Sequence, residues 1–247
     1  EHPMLRRLAA SLIVLATLAT GLAAGSATAD TLPLPPSLVD GASDAGAVLL
    51  VEAEAREAYF PLAANFLTQK NQAFCGVASM VMILNALRIP APEVPEYLPY
   101  RTFTQDNVLN ASTEAIVPQA TILKQGMTLD ELGAVFAVQP VAVTVRHAAD
   151  SSLDAFRKEA RDALATRGRF VVVNYLRKAM GQQTGGHFSP LAAYDAETDR
   201  FLILDVARYK YPPVWVTASD LFGAMNTADS DNDGRTRGYL LIAGKSG

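Results

Sequence analysis

Cysteine and histidine are scarce in this chain. Its 247 residues include one cysteine, Cys75, and three histidines. A single thiol excludes an internal disulfide and a zinc site made of several cysteines. Lysine and arginine never form a run longer than two residues, and the formal net charge is −4, so the charge pattern gives no indication of nucleic-acid binding. The few groups that can carry chemistry are therefore easy to identify.

The N-terminal segment has the composition of a targeting sequence. Residues 1–3 precede Met4 and are interpreted as a cloning scar. An arginine pair then leads into an uncharged, mostly aliphatic stretch that ends on Ala27-Thr28-Ala29, as in a secretory signal peptide over residues 4–29. An uncleaved membrane anchor is the alternative, because about 20 apolar residues can cross a bilayer. We expect cleavage, a secreted or periplasmic protein without stable membrane insertion, and one domain over residues 30–247.

Hydrophobic periodicity divides the rest of the chain into two halves. Helical patterns dominate before about residue 169, and short β-rich runs separated by turns dominate after it. The predicted helices cover residues 43–60, 76–87, 128–138, 151–166 and 219–226, and the predicted strands cover residues 141–145, 170–176, 188–194, 201–207 and 239–243. The pattern predicts an α+β fold with two lobes, a helical first half and an antiparallel sheet in the second half.

Cys75 is predicted to be an activated nucleophile at a helix N-terminus. It immediately precedes Gly76 and the best-patterned helix, where the helix dipole favours a thiolate. His187, after two glycines, and Asp205, at the end of an apolar run, follow it in the order expected of a papain-like thiol enzyme. The alternative is that Cys75 is a small buried hydrophobic residue.

His187 and Asp205 are predicted to contact each other. A carboxylate in an apolar run needs a partner, and an imidazole N–H supplies one while fixing the ring tautomer. A hairpin centred near Glu197 places positions 187 and 205 opposite each other. The alternative is a structural Asp205 bonded to the backbone. His147 has no such acidic partner in the sequence and is interpreted as a surface or loop residue.

Acyl transfer by a thiol also needs donors for an oxyanion. The backbone N–H of Cys75 is one candidate, and a side-chain amide shortly before it is the second. Gln69 and Gln72 both satisfy this requirement, and their spacing does not choose between them.

The segment from Asp229 to Gly234 matches the first half of a calcium-binding loop. The twelfth position of that loop is Leu240, where calcium binding requires a glutamate, and a strand follows instead of a helix. We therefore interpret this segment as an acidic hairpin turn, and we predict no metal site.

Several segments together resemble the phytochelatin synthase family, particularly its short bacterial forms. The segments are NQAFCGVASMVMILNAL, GGHFSPLAAYD and LILDVARYKYPPVWV, within a likeness that covers residues 38–245. The resemblance implies a papain-like fold, a triad of Cys75, His187 and Asp205, and Gln69 rather than Gln72 in the oxyanion hole. It implies that the protein cleaves glutathione to γ-glutamylcysteine and glycine through a thioester on the cysteine, mainly as a hydrolase with weak phytochelatin synthesis.

The resemblance also implies substrate contacts. Asp229 and Arg237 match the positions that hold the α-amino and α-carboxylate groups of the γ-glutamyl unit, and their charges suit those groups. This chain has one extra residue in the turn between them. Asn174, Gly186 and Arg208 lie near the triad strands and are expected to line the site, although ordinary pairing at strand ends is the alternative for Asn174 and Arg208.

No bound cofactor is expected, and any stimulation by metal ions would act through the thiolates of glutathione. The resemblance further implies a role in metal detoxification and a homodimer. Two other functions stay open at this stage. One is a general papain-like protease, and the other is a non-catalytic periplasmic module that binds thiol peptides.

Overall fold

The computed structural model describes residues 31–245. The predicted signal peptide and the three residues before it therefore lie outside the described residues. Within the described part, the chain forms eight α-helices and one seven-stranded sheet, which confirms the α+β prediction. Of these helices, none has the length and apolar character needed to span a bilayer.

Most of the helices precede most of the strands along the chain. The helices are α1 (Asp44–Glu52), α2 (Tyr59–Ala63), α3 (Cys75–Ala86), α4 (Ala111–Glu114), α5 (Gln119–Gln125), α6 (Leu129–Ala137), α7 (Leu153–Leu164) and α8 (Ala218–Met225). The strands are β1 (Val39–Asp40), β2 (Val141–His147), β3 (Arg169–Leu176), β4 (Gly186–Asp195), β5 (Arg200–Ile203), β6 (Val214–Thr217) and β7 (Gly238–Gly244).

All strand pairs are antiparallel, in the order β1-β6-β5-β4-β3-β7-β2. Strands β3 and β4 therefore lie at the centre of the sheet, and almost all of their residues are buried. Helix α3 packs against β4, and helices α7 and α8 pack against β3. The centre of the sheet and the start of α3 are thus held side by side.

Helix α3 begins at Cys75 and is buried from Cys75 to Leu84 on every side. The sequence predicted one apolar face, but the polar Ser79 is also buried, and its hydroxyl donates to the Cys75 carbonyl oxygen at 2.8 Å. A Cβ on Gly76 would lie 2.9 Å from the terminal methyl of Met127, so that flexible side chain would have to move to accommodate a larger residue. Close packing on all sides therefore fixes the position of Cys75.

Two helix predictions need correction. The single helix expected over residues 43–60 is divided, because α1 ends at Glu52 and α2 begins at Tyr59. Pro61 lies in the first turn of α2, where a backbone N–H has no intrahelical acceptor, so a proline is compatible with this helix. The helix expected from residue 151 is capped by Ser152 rather than Ser151, since the Ser152 hydroxyl accepts from the Ala155 N–H.

The predicted register between β4 and β5 was also wrong. The observed hairpin pairs Asp195 with Arg200 and Ala193 with Leu202. A bulge between Leu191 and Ala193 then shifts the register by one residue, so that Leu191 pairs with Ile203. Strand β5 therefore ends two residues before Asp205, instead of extending to residue 207 as expected. The sequence also gave no prediction for β6, a four-residue strand that follows two prolines.

Candidate active site

Cys75, His187 and Asp205 lie together although they come from three different elements. Cys75 is the first residue of α3, His187 is the second residue of β4, and Asp205 follows β5. The His187 Nε2–H donates to Oδ1 of Asp205 at 2.9 Å. The imidazole is also close enough to the Cys75 thiol to lower its pKa, and Nδ1 is the ring nitrogen that the bond to Asp205 leaves free for the thiol. All three side chains are buried.

Electrostatics in this group favour a charged thiolate–imidazolium pair. Burial raises the pKa of the Cys75 thiol, but the hydrogen bond and charge of His187 and the backbone groups of Phe188 and Gly76 outweigh it, and the net pKa is lowered. Burial lowers the pKa of His187, but the charge of Asp205 and hydrogen bonds to Asp205 and Cys75 outweigh it, and the net pKa is raised. The thiol therefore loses its proton more easily, and the imidazole holds its proton more firmly.

Arg177 is the fourth charged member of the group, and our sequence analysis missed it. Its NH2 donates to Oδ1 of Asp205 at 2.9 Å, and its NH1 lies 2.8 Å from Oδ2. Burial raises the pKa of Asp205, but the charges and hydrogen bonds of His187 and Arg177 overcome it and hold that pKa well below its usual range. The sequence signal was an arginine directly after the long apolar strand that ends at Leu176.

A cavity of about 120 Å³ lies beside Cys75. Its walls come from the segments before α3 and α6, from β3 and β4, and from the acidic turn before β7. The lining residues are Gln72, Ala73, Cys75, Gln125, Gly126, Met127, Asn174, Gly186, Phe188, Asp229, Asp231 and Arg237. The structure thus places four of the five predicted substrate contacts in the cavity beside Cys75.

Arg237 and Asp229 form the charged end of this cavity. The Arg237 NH2 donates to Oδ1 of Asp229 at 3.2 Å, so the extra residue in the intervening turn does not separate them. The Nε of Arg237 and the Oδ1 of Asn174 are buried and have no hydrogen-bond partner among the described residues. A Cβ on Gly186 would lie 3.1 Å from the Arg237 Nε, so glycine at this position leaves room for the guanidinium. Two residues that line the cavity therefore each carry a buried polar atom without a partner, a donor on Arg237 and an acceptor on Asn174.

Gln69 does not line the cavity, whereas Gln72 does. The Gln69 side chain is buried, and its Nε2 donates to the Asn71 carbonyl oxygen at 2.8 Å and to the Tyr209 hydroxyl at 3.1 Å. Its backbone N–H donates to the Val206 carbonyl oxygen at 2.9 Å, which ties it to the segment after Asp205. The two glutamines thus lie in different surroundings.

Comparison with known proteins identifies the family of this chain. Residues 29–239 match the family model described as phytochelatin synthase. The chain belongs to the phytochelatin synthase family. It is 38% identical over 215 residues to glutathione gamma-glutamylcysteinyltransferase 1 of Lotus japonicus, a match that covers 86% of this chain and 41% of that protein.

Two further relatives of this chain are less similar in sequence. Glutathione gamma-glutamylcysteinyltransferase 1 of Triticum aestivum is 35% identical, over 87% of this chain and 42% of the relative. The glutathione gamma-glutamylcysteinyltransferase of Schizosaccharomyces pombe is 31% identical over 188 residues, which is 75% of this chain and 43% of the relative. The chain thus spans about two fifths of the length of these curated relatives.

Two sequence interpretations of this family member require correction. Arg208 was expected to line the site, but its guanidinium stacks over the Phe66 ring at 4.7 Å and does not line the cavity. His147 was interpreted as a surface residue, but it is buried, because β2 extends to it and pairs it with Gly238. Its Nε2 lies 3.0 Å from Oδ1 of Asp130, and its Nδ1 contacts the Thr236 carbonyl oxygen.

The acidic segment before β7 forms a turn, as interpreted from the sequence. Ala228 and Thr236 pair across it, and Asp229 caps the short 3-10 turn from Ser230 to Asn232. Asp130 holds this turn from α6, because it accepts hydrogen bonds from Asn232 and Arg235. The turn therefore has a fixed position relative to the cavity.

Proposed function

We propose that this protein is a thiol acyltransferase that acts on glutathione, mainly as a hydrolase. Cys75 would take the γ-glutamylcysteinyl group as a thioester and release glycine. Water would then give γ-glutamylcysteine, and a second glutathione would occasionally give a phytochelatin. The names of the relatives support glutathione as the substrate, and the resemblance to short bacterial forms supports the emphasis on hydrolysis.

The charged end of the cavity is the observation that carries this proposal. A γ-glutamyl unit ends in a free amino acid group with one ammonium and one carboxylate. Arg237 has an unpartnered Nε for the carboxylate, while Asp229 and the unpartnered Oδ1 of Asn174 accept hydrogen bonds from the ammonium. A volume of about 120 Å³ suits one such group. These contacts would place the amide carbon of the next residue near Cys75.

The first chemical step follows from the protonation states of the group. The Cys75 thiolate attacks the carbonyl carbon of the peptide bond between cysteine and glycine, and the carbonyl oxygen becomes an oxyanion. The imidazolium of His187 gives its proton to the glycine nitrogen, the C–N bond breaks, and a thioester remains on the sulfur. Asp205 keeps the imidazole oriented and stabilises its positive charge during this step.

The second step uses His187 in its neutral form. His187 takes a proton from water, the resulting hydroxide attacks the thioester carbon, and the C–S bond breaks to return the thiolate. When the amine of another glutathione replaces water, the product is longer by one γ-glutamylcysteine unit. Because the first step uses the imidazolium proton and the second step replaces it with a proton from water or the amine, the enzyme is unchanged after a cycle.

The placement of the groups supports a papain-like arrangement with two lobes. The nucleophile begins a helix of the helical half, and the histidine and aspartate come from the sheet half. The composition of residues 4–29 supports a secreted or periplasmic location. The family resemblance supports a homodimer and metal stimulation through glutathione thiolates, with no cofactor bound by the protein itself.

Incubation with glutathione tests the proposal directly. We expect stoichiometric release of glycine and γ-glutamylcysteine, and mass spectrometry after brief exposure should show a γ-glutamylcysteinyl adduct on Cys75. The matched control is the α-linked isomer Glu-Cys-Gly, whose α-carboxylate is already in a peptide bond. Because that isomer cannot offer a free amino acid group in this geometry, its cleavage should be at least about 100-fold slower.

Other outcomes would support the alternative functions. Cleavage of casein at a rate that matches or exceeds glutathione turnover would indicate a general papain-like protease. Tight glutathione binding without turnover, combined with slow alkylation of Cys75 by iodoacetamide at pH 6, would indicate a binding module. Either result would contradict the proposed function.

Gln69 and Gln72 can be compared as a matched pair of variants. If the Gln69 amide donates to the oxyanion in place of its contact with the Tyr209 hydroxyl, Gln69→Ala should lower kcat about 10²–10³-fold. Gln72→Ala should mainly raise KM, because Gln72 lines the cavity. Steady-state glycine release, with thermal denaturation to check folding, measures both. A larger kcat loss in Gln72→Ala would assign the oxyanion role to Gln72.

A further inference from the structure

Arg177 contacts Asp205 but takes no part in the two chemical steps described above. It begins the 3-10 turn after β3, and its N–H donates to the Gly185 carbonyl oxygen at 3.0 Å, just before the strand that carries His187. The side chain is 4% exposed. NH1 also donates to the Gln182 side-chain oxygen at 2.7 Å, which gives the guanidinium a second side-chain partner.

The guanidinium faces the Asp205 carboxylate with two nitrogens. NH2 donates a hydrogen bond to Oδ1 at 2.9 Å, whereas NH1 makes an ionic contact of 2.8 Å with Oδ2 without hydrogen-bond geometry. The ring of Tyr211 lies 5.2 Å from the guanidinium carbon. A carboxylate held from two sides has little freedom to rotate. Asp205 can therefore present Oδ1 to His187 in one orientation only.

The four groups also form a buried row of alternating charges. In order they are the thiolate of Cys75, the imidazolium of His187, the carboxylate of Asp205 and the guanidinium of Arg177. Their formal charges cancel, whereas the first three alone would leave one net negative charge in a buried site. An uncompensated buried charge is costly, and the usual response is for a neighbouring group to keep or gain a proton.

We propose that Arg177 is a positioning residue that orients Asp205 and sets the pH range in which the thiolate–imidazolium pair exists. This inference rests on the proposed triad but not on the identity of the substrate. Arg177 stays positively charged at all relevant pH values, so it disfavours every added proton nearby.

Removal of this charge has a definite direction. Arg177→Met deletes one positive charge, so the pKa of Cys75 and the pKa of His187 should both rise, because each protonated form is then less strongly repelled. The other ionisable groups facing the cluster are Tyr175, Tyr209, Lys210 and Tyr211, and these remain in place in the variant. The whole active pH range should therefore move upwards.

Two readouts separate this role from a purely structural one. The pH dependence of Cys75 alkylation by iodoacetamide measures thiolate formation in the absence of substrate. The pH dependence of kcat for glycine release reports the ionisation of both Cys75 and His187. For Arg177→Met we expect both profiles to move up by about one pH unit or more, with kcat lower at its new optimum. Arg177→Lys keeps the positive charge but loses the pair of guanidinium nitrogens that contact Asp205. The pH midpoint of Cys75 alkylation should therefore stay near that of the wild type, while kcat falls at least about 10-fold.

Arg157→Met provides the matched control. Arg157 contacts both oxygens of Asp199 at 2.8 and 2.9 Å, in the turn at the opposite end of the β4–β5 hairpin from the active site. Its loss should leave both pH profiles unchanged.

Alkylation profiles of folded Arg177→Met that coincide with wild type would overturn the charge role. If Arg177→Met does not fold, unchanged kcat in Arg177→Lys overturns the positioning role, and a displaced alkylation midpoint in that charge-conserving variant overturns the charge role. Normal profiles without glutathione turnover would contradict only the proposed function.

Discussion

Cys75→Ala is expected to lower the rate of glycine release from glutathione on the order of 10⁴-fold or more. The variant has no nucleophile, and no other thiol exists in the chain to replace it. His187 and Asp205 would remain, but an imidazole alone cannot form the thioester. Glycine release measured with the purified protein checks the rate, and mass spectrometry should show no γ-glutamylcysteinyl adduct.

Cys75→Ser is the matched control for size and hydrogen bonding. A hydroxyl is far less acidic than a thiol, so the neighbouring imidazole does not ionise it in the ground state, and turnover should stay close to that of Cys75→Ala. Glutathione should still bind to both variants, because the cavity contacts of Asp229 and Arg237 are intact. Calorimetry measures this binding. Wild-type glycine release by folded Cys75→Ala would exclude the thioester mechanism.

Asp205→Asn should lower kcat on the order of 10³–10⁴-fold. Asparagine has nearly the same shape, so its oxygen can still accept from His187. The buried charge is lost, however, and Arg177 is then left next to the imidazole without a counter-ion. A nearby uncompensated cation disfavours the imidazolium and therefore the ion pair with Cys75. The kcat for glycine release and the pH profile of alkylation measure these effects.

The same substitution should lower the free energy of unfolding by about 3–5 kcal/mol, because breaking a buried ion pair leaves one charge unpaired. The control is the double variant Asp205→Asn with Arg177→Met, which removes both charges. It should be more stable than Asp205→Asn alone and remain inactive. Chemical denaturation measures the stabilities. A double variant whose destabilisation equals the sum of the two single effects would show that the pair is not coupled.

Much of the local structure could be predicted from the sequence. Helix α3 has a strong apolar pattern, and the helix at Leu129 has a capping box in which Thr128 and Glu131 each accept from the other's backbone N–H. Strands β3, β4 and β7 appear as apolar runs close to their observed bounds. These elements are determined by side chains within one segment, so a single sequence is enough to identify them.

The sequence also identified which groups could carry chemistry. One cysteine before a helix, one histidine after two glycines and one aspartate in an apolar run were the few candidates. The role of Asp229 and Arg237 as substrate contacts was inferred only from the family resemblance. The catalytic roles of Cys75 and Asp205 are predictions, which the variants of these two residues test.

Only the tertiary structure decided how these groups meet. The bulge in β4 and the early end of β5 changed the expected register, yet Asp205 still reaches His187 because the chain leaves the sheet there and the Ala207 N–H donates to the carboxylate at 2.9 Å. Arg177, the burial of His147 and the stacking of Arg208 on Phe66 likewise depend on segments far apart in the chain. Local patterns determine which residues form a helix or strand, but contacts between distant side chains depend on how all the elements pack together.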